Sequence, residues 1–537
     1  MSTDTPHPWF LAIDLGSGGT KTAAVAVDGT VLAIQFASTH TVLGPDGSAT
    51  QDVDAWWTGV VDGVRAVLAS GTVGPDHCAG VGITGQWGST VPVDAGRNAV
   101  GPCIMWSDGR GAPFSQAQVG GRVRVSGYDP TKLATWIRLT GGAPSPQGAD
   151  PTGHALLLRH TQPHVYQAAA WLMEPVDYIG MRLTGEVAAT PASMILSWLT
   201  DNRPKGAHGY HPQLVALAGR DPGRLPPLVP TGSALGTLSA PVAAELGLPM
   251  TVPVVTGIPD LHTAWLGSGA VANYQGHLAI STSAWVSAAV PQKKTDINAS
   301  MATVPALRPG TYLIANNHET GGACLRWFRE QMLAPDDGLS TGPPPSYEQI
   351  TDAAAAVPPG SGGVIFAPWL KGERSPVDDR RLRASFVNVS LETNRAALAR
   401  AVLEGVAYNA RWLLEATEKM AKRPLTPLRL LGGGAQSALW CQIHADVIGR
   451  PIEQVSQPMH ANVRGAGLFA ALSLGATSLE RIAQGAFVAR TFHPDAAAQL
   501  AYEPLYAEFT KLFKQQKAMY KRLHKRLHKR LNGTPAT

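Results

Sequence analysis

A short segment near the amino terminus, Phe10-Leu-Ala-Ile-Asp14-Leu-Gly16-Ser17-Gly18-Gly19-Thr20-Lys21, constrains the fold most strongly. Its apolar residues predict a buried strand over 9–15, and the glycines predict a tight turn into a second strand over 21–28. Asp14 therefore ends a strand, where a carboxylate can hold hydrated Mg²⁺. The glycines let backbone N–H groups approach phosphate oxygens. The segment predicts a phosphate-handling hairpin.

The same turn excludes two common nucleotide-binding motifs. The dinucleotide fingerprint and the P-loop both end at a helix N-terminus, whereas a second strand follows the glycines here. An ordinary Gly-rich hairpin beside a surface aspartate is the structural alternative. Lys21, which begins the returning strand, either assists phosphate binding or points to solvent.

Length and composition predict a cytoplasmic protein of two or more domains. A chain of 537 residues is too long for one core. Its 57 Gly and 42 Pro are dispersed, which indicates many tight turns. No signal peptide and no apolar run of about 18 residues are found, so no transmembrane segment is expected. The cysteines lack the paired spacing of a zinc site or a disulfide framework; they are Cys78, Cys103, Cys324 and Cys441.

The order of predicted elements in the first half is unlike a doubly wound dinucleotide-binding fold. Strands are predicted over 9–15, 21–28 and 31–38, with Asp28-Gly29 as a two-residue hairpin turn. A helix over 53–68 and a buried strand over 78–84 follow. This order lacks the strict strand–helix alternation of that fold.

A second block begins near residue 272 and repeats the pattern. Residues 277–290 predict strand, turn and strand, with Ser281-Thr282-Ser283 in the turn. Further elements are predicted as a strand over 312–316, helices over 321–332 and 394–420, and a strand over 428–431 that runs into Gly432-Gly433-Gly434-Ala435-Gln436-Ser437 and a helix. The phosphate turn therefore occurs twice.

These motifs, in this order, resemble the FGGY family of carbohydrate kinases, and its xylulokinase-like members in particular, over residues 8 to about 500. Two further blocks of the family stand in the expected order: Phe366-Ala-Pro-Trp-Leu-Lys-Gly372-Glu373-Arg374-Ser-Pro376 and Ala399-Arg-Ala-Val-Leu-Glu404-Gly405-Val-Ala-Tyr408. Several blocks in register are more specific than any one of them.

The resemblance implies an α/β fold of two RNase H-like domains of the actin, hexokinase and chaperone-ATPase type, with a cleft between them. It implies a sugar- and phosphate-binding domain over 1–271 and a nucleotide-binding domain over 272–504. The implied activity is ATP-dependent phosphorylation of a sugar hydroxyl, on a ketose such as xylulose or on a related polyol. ATP and Mg²⁺ are the implied cofactors, and a homodimer is compatible with the family.

The resemblance gives separate roles to two carboxylates. The block Val254-Val-Thr-Gly-Ile-Pro-Asp260 matches the position of the family's catalytic base, so Asp260 is expected to accept the proton of the sugar hydroxyl. Asp14 is expected to lie near Mg²⁺. An N-cap role for Asp260, at a helix that starts at Leu261, is the structural alternative, and both roles can coexist.

The resemblance also implies which residues contact the nucleotide and its phosphates. The expected cofactor-binding residues are Gly16, Ser17, Gly18, Gly19 and Thr20 in the first turn, Ser281, Thr282 and Ser283 in the second, Gly321 and Gly322 in a nucleotide-contact turn, and Gly432, Gly433, Gly434, Ala435 and Ser437 in the adenosine loop. Three consecutive glycines can equally form the lead-in to a helix.

The sugar contacts depart from the family pattern. The expected substrate residues are Gln86, Trp87, Trp106, Asp108, Asp260 and His262. Trp87 and Gly88 replace the usual Met and His, and Leu261 replaces the Asn that commonly follows the base. Because a site built to bind a hydroxyl discriminates strongly, these losses indicate an altered substrate. Trp87 can stack on a sugar or fill a core. His262 can supply a polar contact or be a structural histidine, and Arg110 can form a structural ion pair.

The basic charge of the chain belongs to its carboxyl-terminal tail. Residues 505–537 carry nine Lys/Arg and one Glu, which is +8, so a net charge of +5 leaves −3 on the remainder. The repeat Lys521-Arg-Leu-His-Lys-Arg-Leu-His-Lys-Arg-Leu531 predicts a basic amphipathic helix. Contact with anionic lipid or nucleic acid is one interpretation. A solvated helix that packs its first turns and frays beyond Leu523 is the other, and no nucleic-acid partner is expected.

Two other function classes stay open at this stage. One is a catalytically weak sugar- or nucleotide-binding protein of the same fold. The other is an anionic-surface binder that depends on the tail.

Overall fold

In a computed structural model, the chain is described for residues 8–334 and 342–531, with side chains through residue 526. Strands and helices of the first half have these bounds: β1 Trp9–Gly16, β2 Gly19–Ala26, β3 Val31–Ser38, β4 Val42–Leu43, β5 Ala49–Gln51, α1 Val53–Ala69, β6 Cys78–Gly85, β7 Val91–Val93, β8 Cys103–Ile104, α2 Ala112–Val119, α3 Pro130–Leu139, α4 Pro151–Thr161, α5 Pro163–Ala168, β9 Trp171–Met173, α6 Pro175–Thr184, α7 Pro212–Leu217, β10 Ala234–Thr237, α8 Ala240–Leu246, β11 Pro253–Val255, β12 Ile258–Pro259 and α9 Asp260–Ser268.

The second half continues the numbering: β13 Gly276–Ile280, β14 Ala284–Val290, β15 Thr295–Asp296, β16 Met301–Pro305, β17 Tyr312–Ala315, α10 Gly322–Trp327, α11 Tyr347–Ala355, β18 Ile365–Ala367, β19 Ser385–Val387, α12 Arg395–Ala421, β20 Leu428–Leu431, α13 Ala438–Ile448, β21 Ile452–Val455, α14 Ala461–Ser473, α15 Leu479–Ala483, β22 Val488–Phe492 and α16 Ala496–Leu531. Within the residues described, no helix is both long and apolar enough to cross a bilayer.

Two large sheets share one topology. The first has the order β10-β11-β6-β1-β2-β3 with β12 beside β6, and the second has the order β15-β16-β17-β14-β13-β20-β21-β22. In each sheet three neighbouring strands pair antiparallel. They are β1, β2 and β3 in the first sheet and β13, β14 and β17 in the second. Parallel strands then continue from the first of the three, β6 and β11 in one sheet and β20 and β21 in the other. The predicted repetition of the strand–turn–strand unit is therefore a repetition of sheet topology.

The helices that cover these sheets begin and pack as their sequences predict. The side chain of Asp52 accepts a hydrogen bond from Asp54 N–H and starts α1, whose buried residues recur every three or four positions. Asn394 caps α12 in the same way by accepting from Ala397 N–H. The α1 face fills the first core, and α12 lies at the centre of the second.

Helix α14 joins the two halves because glycines let it approach α9 closely. A Cβ atom at Gly465 would lie 1.9 Å from the carbonyl oxygen of Thr263, and one at Gly267 would lie 1.8 Å from that of Ala461. On the first sheet, a Cβ at Gly82 would lie 2.1 Å from the carbonyl oxygen of Ala466. A helix of the second half thus packs on the first sheet. The boundary at 271 separates the sheets along the chain, and the domain limits stay a prediction.

Four local expectations were wrong. Strand β2 begins at Gly19 rather than residue 21. The predicted two-residue hairpin turn is a three-residue loop, 27–29, closed by Ala26 N–H, which donates to the carbonyl oxygen of Thr30. The predicted helix over 321–332 is split, with α10 followed by a π-helical segment at Phe328–Leu333. The backbone of α16 stays helical through Leu531 instead of fraying beyond Leu523.

Candidate active site

Strand β6 places Asp14 and Asp260 at one edge of the first sheet. Both β1 and β12 pair parallel with β6, and Thr84 of β6 is in register with Asp14 on one side and Ile258 on the other. Parallel strands end at a common edge, so Asp14 and Asp260 lie on either side of β6. The two carboxylates interact electrostatically. The structure therefore brings together the two acids that the sequence assigned to one site.

The environment of Asp260 holds its proton tightly. Burial raises the pKa of the Asp260 carboxyl to about 7, and the negative charge of Asp14 adds to the rise. The charge of Lys21 and the N–H of Leu261 oppose it. Pro259 is the N-cap residue of α9 and no side chain caps that helix, so the N-cap alternative for Asp260 is not the arrangement found. A carboxyl with a pKa near neutrality suits proton transfer.

Lys21 points at Asp14 and not at solvent. The two residues are direct cross-strand partners, and Lys21 Nζ lies 3.1 Å from Asp14 Oδ2. Thr20, the residue before Lys21 in β2, has its side chain buried against Gly59 of α1. Because side chains alternate along a strand, Thr20 cannot offer its hydroxyl to the site that Lys21 faces. Among the groups of Thr20, the backbone is therefore better placed than the side chain for the predicted phosphate contact, which stays a prediction.

The turn between β1 and β2 leaves open space at its tip. Ser17 and Gly18 are its two residues, and a Cβ atom at Gly18 would meet no atom within 4 Å. Gly19 has φ +153°, and a Cβ there would lie 2.3 Å from the carbonyl oxygen of Ala37. Gly16 lies at the same hairpin end, paired with Gly19. Packing therefore requires glycine at position 19. At position 18 no contact among the described residues requires it.

The predicted nucleotide segments of the second half converge at the carboxyl end of β13. Gly322 N–H donates to the carbonyl oxygen of Ser281 at 2.7 Å, and Gly321 N–H donates to that of Thr282 at 2.9 Å. The N–H of Ser281 donates to the carbonyl oxygen of Ser283, which closes the turn. A Cβ at Gly322 would lie 2.6 Å from the carbonyl oxygen of Ser281. The two turns predicted separately form one unit.

The glycine triplet lies against the same strand end. A Cβ atom at Gly432 would lie 2.5 Å from the carbonyl oxygen of Ile280, and one at Gly434 would lie 2.5 Å from the Ile280 side chain. Gly433 faces open space, and Ala435 is buried. The Ser437 hydroxyl accepts from Trp440 N–H and starts α13, so this serine is also a helix cap. The triplet both leads into a helix and leaves one position open to a ligand.

Gln51, which the sequence analysis did not single out, connects the turn between β1 and β2 to Gln86, one of the predicted sugar contacts. Its Nε2 donates to the carbonyl oxygen of Ser17 at 2.8 Å, and its Oε1 accepts from Gln86 Nε2 at 3.0 Å. Trp56 Nε1 also donates to this Oε1. Gln51 ends the short strand β5 and lies outside every motif, so only the fold could reveal it.

Trp87 and His262 lie edge to face, with ring centroids 6.3 Å apart. Trp87 Nε1 donates to the carbonyl oxygen of Ser193. This bond holds the half-buried ring in place as a flat surface beside His262. His262 Nε2 is hydrogen-bonded to the carbonyl oxygen of Pro305 at 2.9 Å, across the two halves. Burial lowers the pKa of His262 to about 4, so the ring is neutral and donates this bond. The structural alternative therefore fits His262 better than a sugar contact.

Asp108 holds a loop together. Its carboxylate receives Arg110 Nε and Nη2, the latter at 2.7 Å, and also the N–H of Ala49. It is fully buried, so the structure favours a positioning role for Asp108 and confirms the ion pair expected of Arg110. Trp106, on the same loop, donates its N–H to the Ser89 hydroxyl.

A second pair of acids, Glu174 and Asp177, lies next to Gly88 and the predicted sugar contacts that precede it. Glu174 Oε2 accepts from Gly88 N–H at 3.1 Å, and Asp177 follows one helical turn later in α6. Burial raises the pKa of both carboxyls well above their usual values, and for Glu174 the charge of Asp177 adds to the rise. Neither acid belongs to a sequence motif; their i, i+3 spacing at the start of a helix that begins with Pro175 was the only signal.

Comparison with known protein families agrees with the fold and the site geometry described above. The model of the FGGY family of carbohydrate kinases, N-terminal domain, matches residues 9–118 and 154–267. The model of its C-terminal domain matches residues 278–474. The chain therefore belongs to the FGGY family of carbohydrate kinases, and its fold is of the actin and hexokinase type. It is a sugar kinase.

Individual relatives span nearly the whole chain. A xylulose kinase of Staphylococcus epidermidis is 25% identical over 522 residues, which are 95% of this chain and 97% of the relative. The xylulose kinase of Escherichia coli is 26% identical, covering 94% and 99%. The solved xylulose kinase from Rhodospirillum rubrum superposes with a TM-score of 0.78 at 26% identity, over 96% of this chain and all of that one. A gluconate kinase from Lactobacillus acidophilus, at 20% identity and a TM-score of 0.82, shows the shared fold.

Proposed function

We propose that this kinase transfers the terminal phosphoryl group of ATP to a hydroxyl of a ketose or a related polyol, with Asp260 as general base. The observation that supports it best is the pair of carboxylates, Asp14 and Asp260, on either side of β6. The name xylulose kinase recurs among the relatives and favours a pentulose as the first substrate to test. A gluconokinase of Bacillus subtilis at 24% identity widens the panel to other sugars.

Asp260 acts on the attacking alcohol. A sugar hydroxyl is a weak nucleophile while protonated, and a positioned carboxylate accepts its proton as attack on phosphorus develops. This step is worth about 10²- to 10⁴-fold in rate. The pKa of Asp260, raised to about 7 by burial and by Asp14, makes it a stronger base than a surface aspartate.

The residues present fit ATP and Mg²⁺. Mg²⁺ is usually held by one or two carboxylates together with substrate phosphates, and Asp14 is a buried carboxylate beside an open glycine turn. When bound, the ion would neutralise charge that develops on the phosphoryl oxygens. Ser17, Gly18 and the Ser281–Ser283 turn would offer backbone N–H groups to phosphate. Gly433 leaves an open position where a purine would lie against the backbone.

The sugar end would be formed by Gln86 and the ring of Trp87. Gln86 is fixed by Gln51 and by its own N–H, which donates to the carbonyl oxygen of Leu15. Trp87 presents a ring of the kind that stacks on sugar C–H faces. Loss of a polar side chain at 88 and at 261 favours a substrate with fewer hydroxyl contacts there. A cytoplasmic location and a homodimer stay predictions.

A panel of pentuloses, hexuloses and polyols, assayed by sugar-dependent ADP release, tests the proposal. The variant Asp260→Asn should lower kcat by at least about 10²-fold and keep nucleotide affinity within about threefold. Asp62→Asn, an exposed aspartate on α1, is the matched control and should behave as the native chain.

A catalytically weak sugar- or nucleotide-binding protein is the second candidate, because polar sugar contacts are missing at 88 and 261. Nucleotide and sugar binding without sugar-dependent ADP release would favour it. Normal turnover in Asp260→Asn would refute the assignment of the base.

A further inference from the structure

The first part of helix α16 is anchored to the second half by an aromatic face. Phe509, Leu512 and Tyr520 are buried, and the Tyr520 hydroxyl donates to the carbonyl oxygen of Arg383 at 2.7 Å. Phe509 packs on Trp369, with ring centroids 5.7 Å apart. These contacts fix the rotation of the helix about its axis as far as Tyr520, and therefore also the direction of the turn that follows.

At the end of this anchor the apolar edge of the helix is no longer fully covered. Met519 is 39% exposed and Leu523 is 45% exposed, and the two are four residues apart, on one face. In the sequence, Leu527 and Leu531 continue the same four-residue spacing. Scattered exposed apolar residues are ordinary on a surface, but a row that continues a packed stripe is not.

Cations lie next to this edge, and acids are absent from the sequence around it. No Asp or Glu follows Glu508 in the chain. Arg522 and Arg526 are exposed and, at about 100° per residue, fall on the side of the helix adjoining Met519 and Leu523. Exposed lysines occupy a further face; they are Lys514, Lys521 and Lys525. The distal helix therefore combines an exposed apolar edge with a run of cations that no acidic residue of the same segment offsets.

We propose that the distal part of α16 is an interaction surface for an anionic membrane, lying in the headgroup region with Met519 and Leu523 toward the acyl chains. Such helices bind through buried apolar area together with attraction to anionic lipid, and arginine side chains can reach headgroup phosphates from beside the apolar edge. A nucleic-acid backbone would use the cations only, and the segment after Tyr520 has no Phe, Tyr or Trp to stack on bases. The apolar edge thus favours lipid as the partner.

The surface lies apart from the predicted site segments in the sequence, since its residues follow 508 and those segments end at Ser437. Where α16 meets the second half near this surface, Tyr520 contacts Arg383, which is not a predicted site residue. The proposal therefore concerns where the kinase resides and not how it transfers phosphate. Its outcome and that of the proposed activity are independent.

Sedimentation of the full-length protein with vesicles tests this surface. Vesicles of phosphatidylcholine with 30–40% phosphatidylglycerol, roughly the anionic content that attracts basic helices, are compared with phosphatidylcholine alone. The native chain should bind the anionic vesicles at least tenfold more strongly. Binding should fall at least tenfold in Arg522→Glu/Arg526→Glu and also in Met519→Ser/Leu523→Ser. Deletion of residues 521–537 should abolish binding and leave sugar-dependent ADP release unchanged.

Matched controls decide between lipid and general charge. Arg122→Glu/Arg395→Glu reverses two exposed cations far from α16 along the chain and should keep vesicle binding. Three outcomes would overturn the proposal: no preference for anionic vesicles, retention of binding in Met519→Ser/Leu523→Ser, or equally tight, salt-sensitive binding of duplex DNA or poly(U) through the same arginines. Circular dichroism of each variant establishes that α16 remains folded.

Discussion

Lys21 Nζ lies 3.1 Å from Asp14 Oδ2, and the two residues face each other directly across strands β1 and β2. The same ammonium group lowers the pKa of Asp260, which Asp14 raises. One cation thus pairs with Asp14 and lowers the pKa of Asp260, and its position is set by the register of a single hairpin. Lys21, for which the sequence left two roles open, is part of the electrostatics of the site.

Replacement of Lys21 by Met should shift the acid side of the pH–activity profile to higher pH. Without the ammonium group the pKa of Asp260 rises further, so a higher pH is required to ionise the base. Measurement of kcat/KM against pH, with Lys21→Arg as the charge-preserving control, checks this. An unchanged acid limb in Lys21→Met would show that Lys21 does not act on the base.

The native enzyme should lose activity as the pH falls through about 7. The pKa of Asp260 is raised to about 7, so the ionised base predominates only above that value. Below it, kcat/KM should fall tenfold for each pH unit, which is the slope expected for a single proton. Steady-state kinetics between pH 5.5 and 8.5 at saturating Mg·ATP measure the slope; a flat profile to pH 5.5 would contradict a base with this pKa.

Asp260→Asn should stabilise the fold at pH 8 but not at pH 4. The folded pKa of Asp260 lies above the unfolded value, so its contribution to stability is complete below about pH 4 and is lost as the pH rises through about 7. Removal of the ionisable group should raise the free energy of unfolding at pH 8 by about 1–3 kcal/mol. Urea unfolding at both pH values tests the sign, and equal shifts at pH 4 and pH 8 would argue against the linkage.

Two glycine substitutions should separate the phosphate and nucleotide ends of the site. A Cβ at Gly18 or Gly433 meets no protein atom within 4 Å, so neither alanine variant should lower Tm. Gly18→Ala should reduce kcat, since its methyl group enters the phosphate turn, whereas Gly433→Ala should raise the KM for ATP. We expect about tenfold in each case, the scale of one misplaced contact of about 1.4 kcal/mol. Native kinetics in both variants would place ATP elsewhere.

Sequence reasoning predicted the elements around the two glycine- and serine-rich turns because they depend on local patterns. Strand β1, helix α1 and helix α12 were predicted within about two residues, since apolar periodicity and the capping residues Asp52 and Asn394 define them. Misses occurred where longer-range contacts decide. The π-helical segment at Phe328–Leu333 is one example, and the three-residue connection after Ala26 is another.

The candidate site was predicted in part, for the same reason. Asp14, Asp260 and the glycine turns lie in contiguous blocks and were found. Gln51 and Glu174 lie in no sequence motif, and only packing brings them beside the segment 86–88 that holds predicted sugar contacts. The direction in which Thr20 points was not predicted, because the face of each β2 side chain follows from the pairing of β2 with its neighbours.

The sequence alone determined the two phosphate turns, the family and the identity of both carboxylates, because each is carried by neighbouring residues whose spacing is local. The tertiary structure alone decided that β6 holds Asp14 and Asp260 together, that Lys21 turns toward them, and that Asp108 and His262 serve as supports. It also decided that the distal edge of α16 is left uncovered. Distance, burial and charge interactions between residues far apart in the chain exist only once it has folded, and they set the pKa of Asp260.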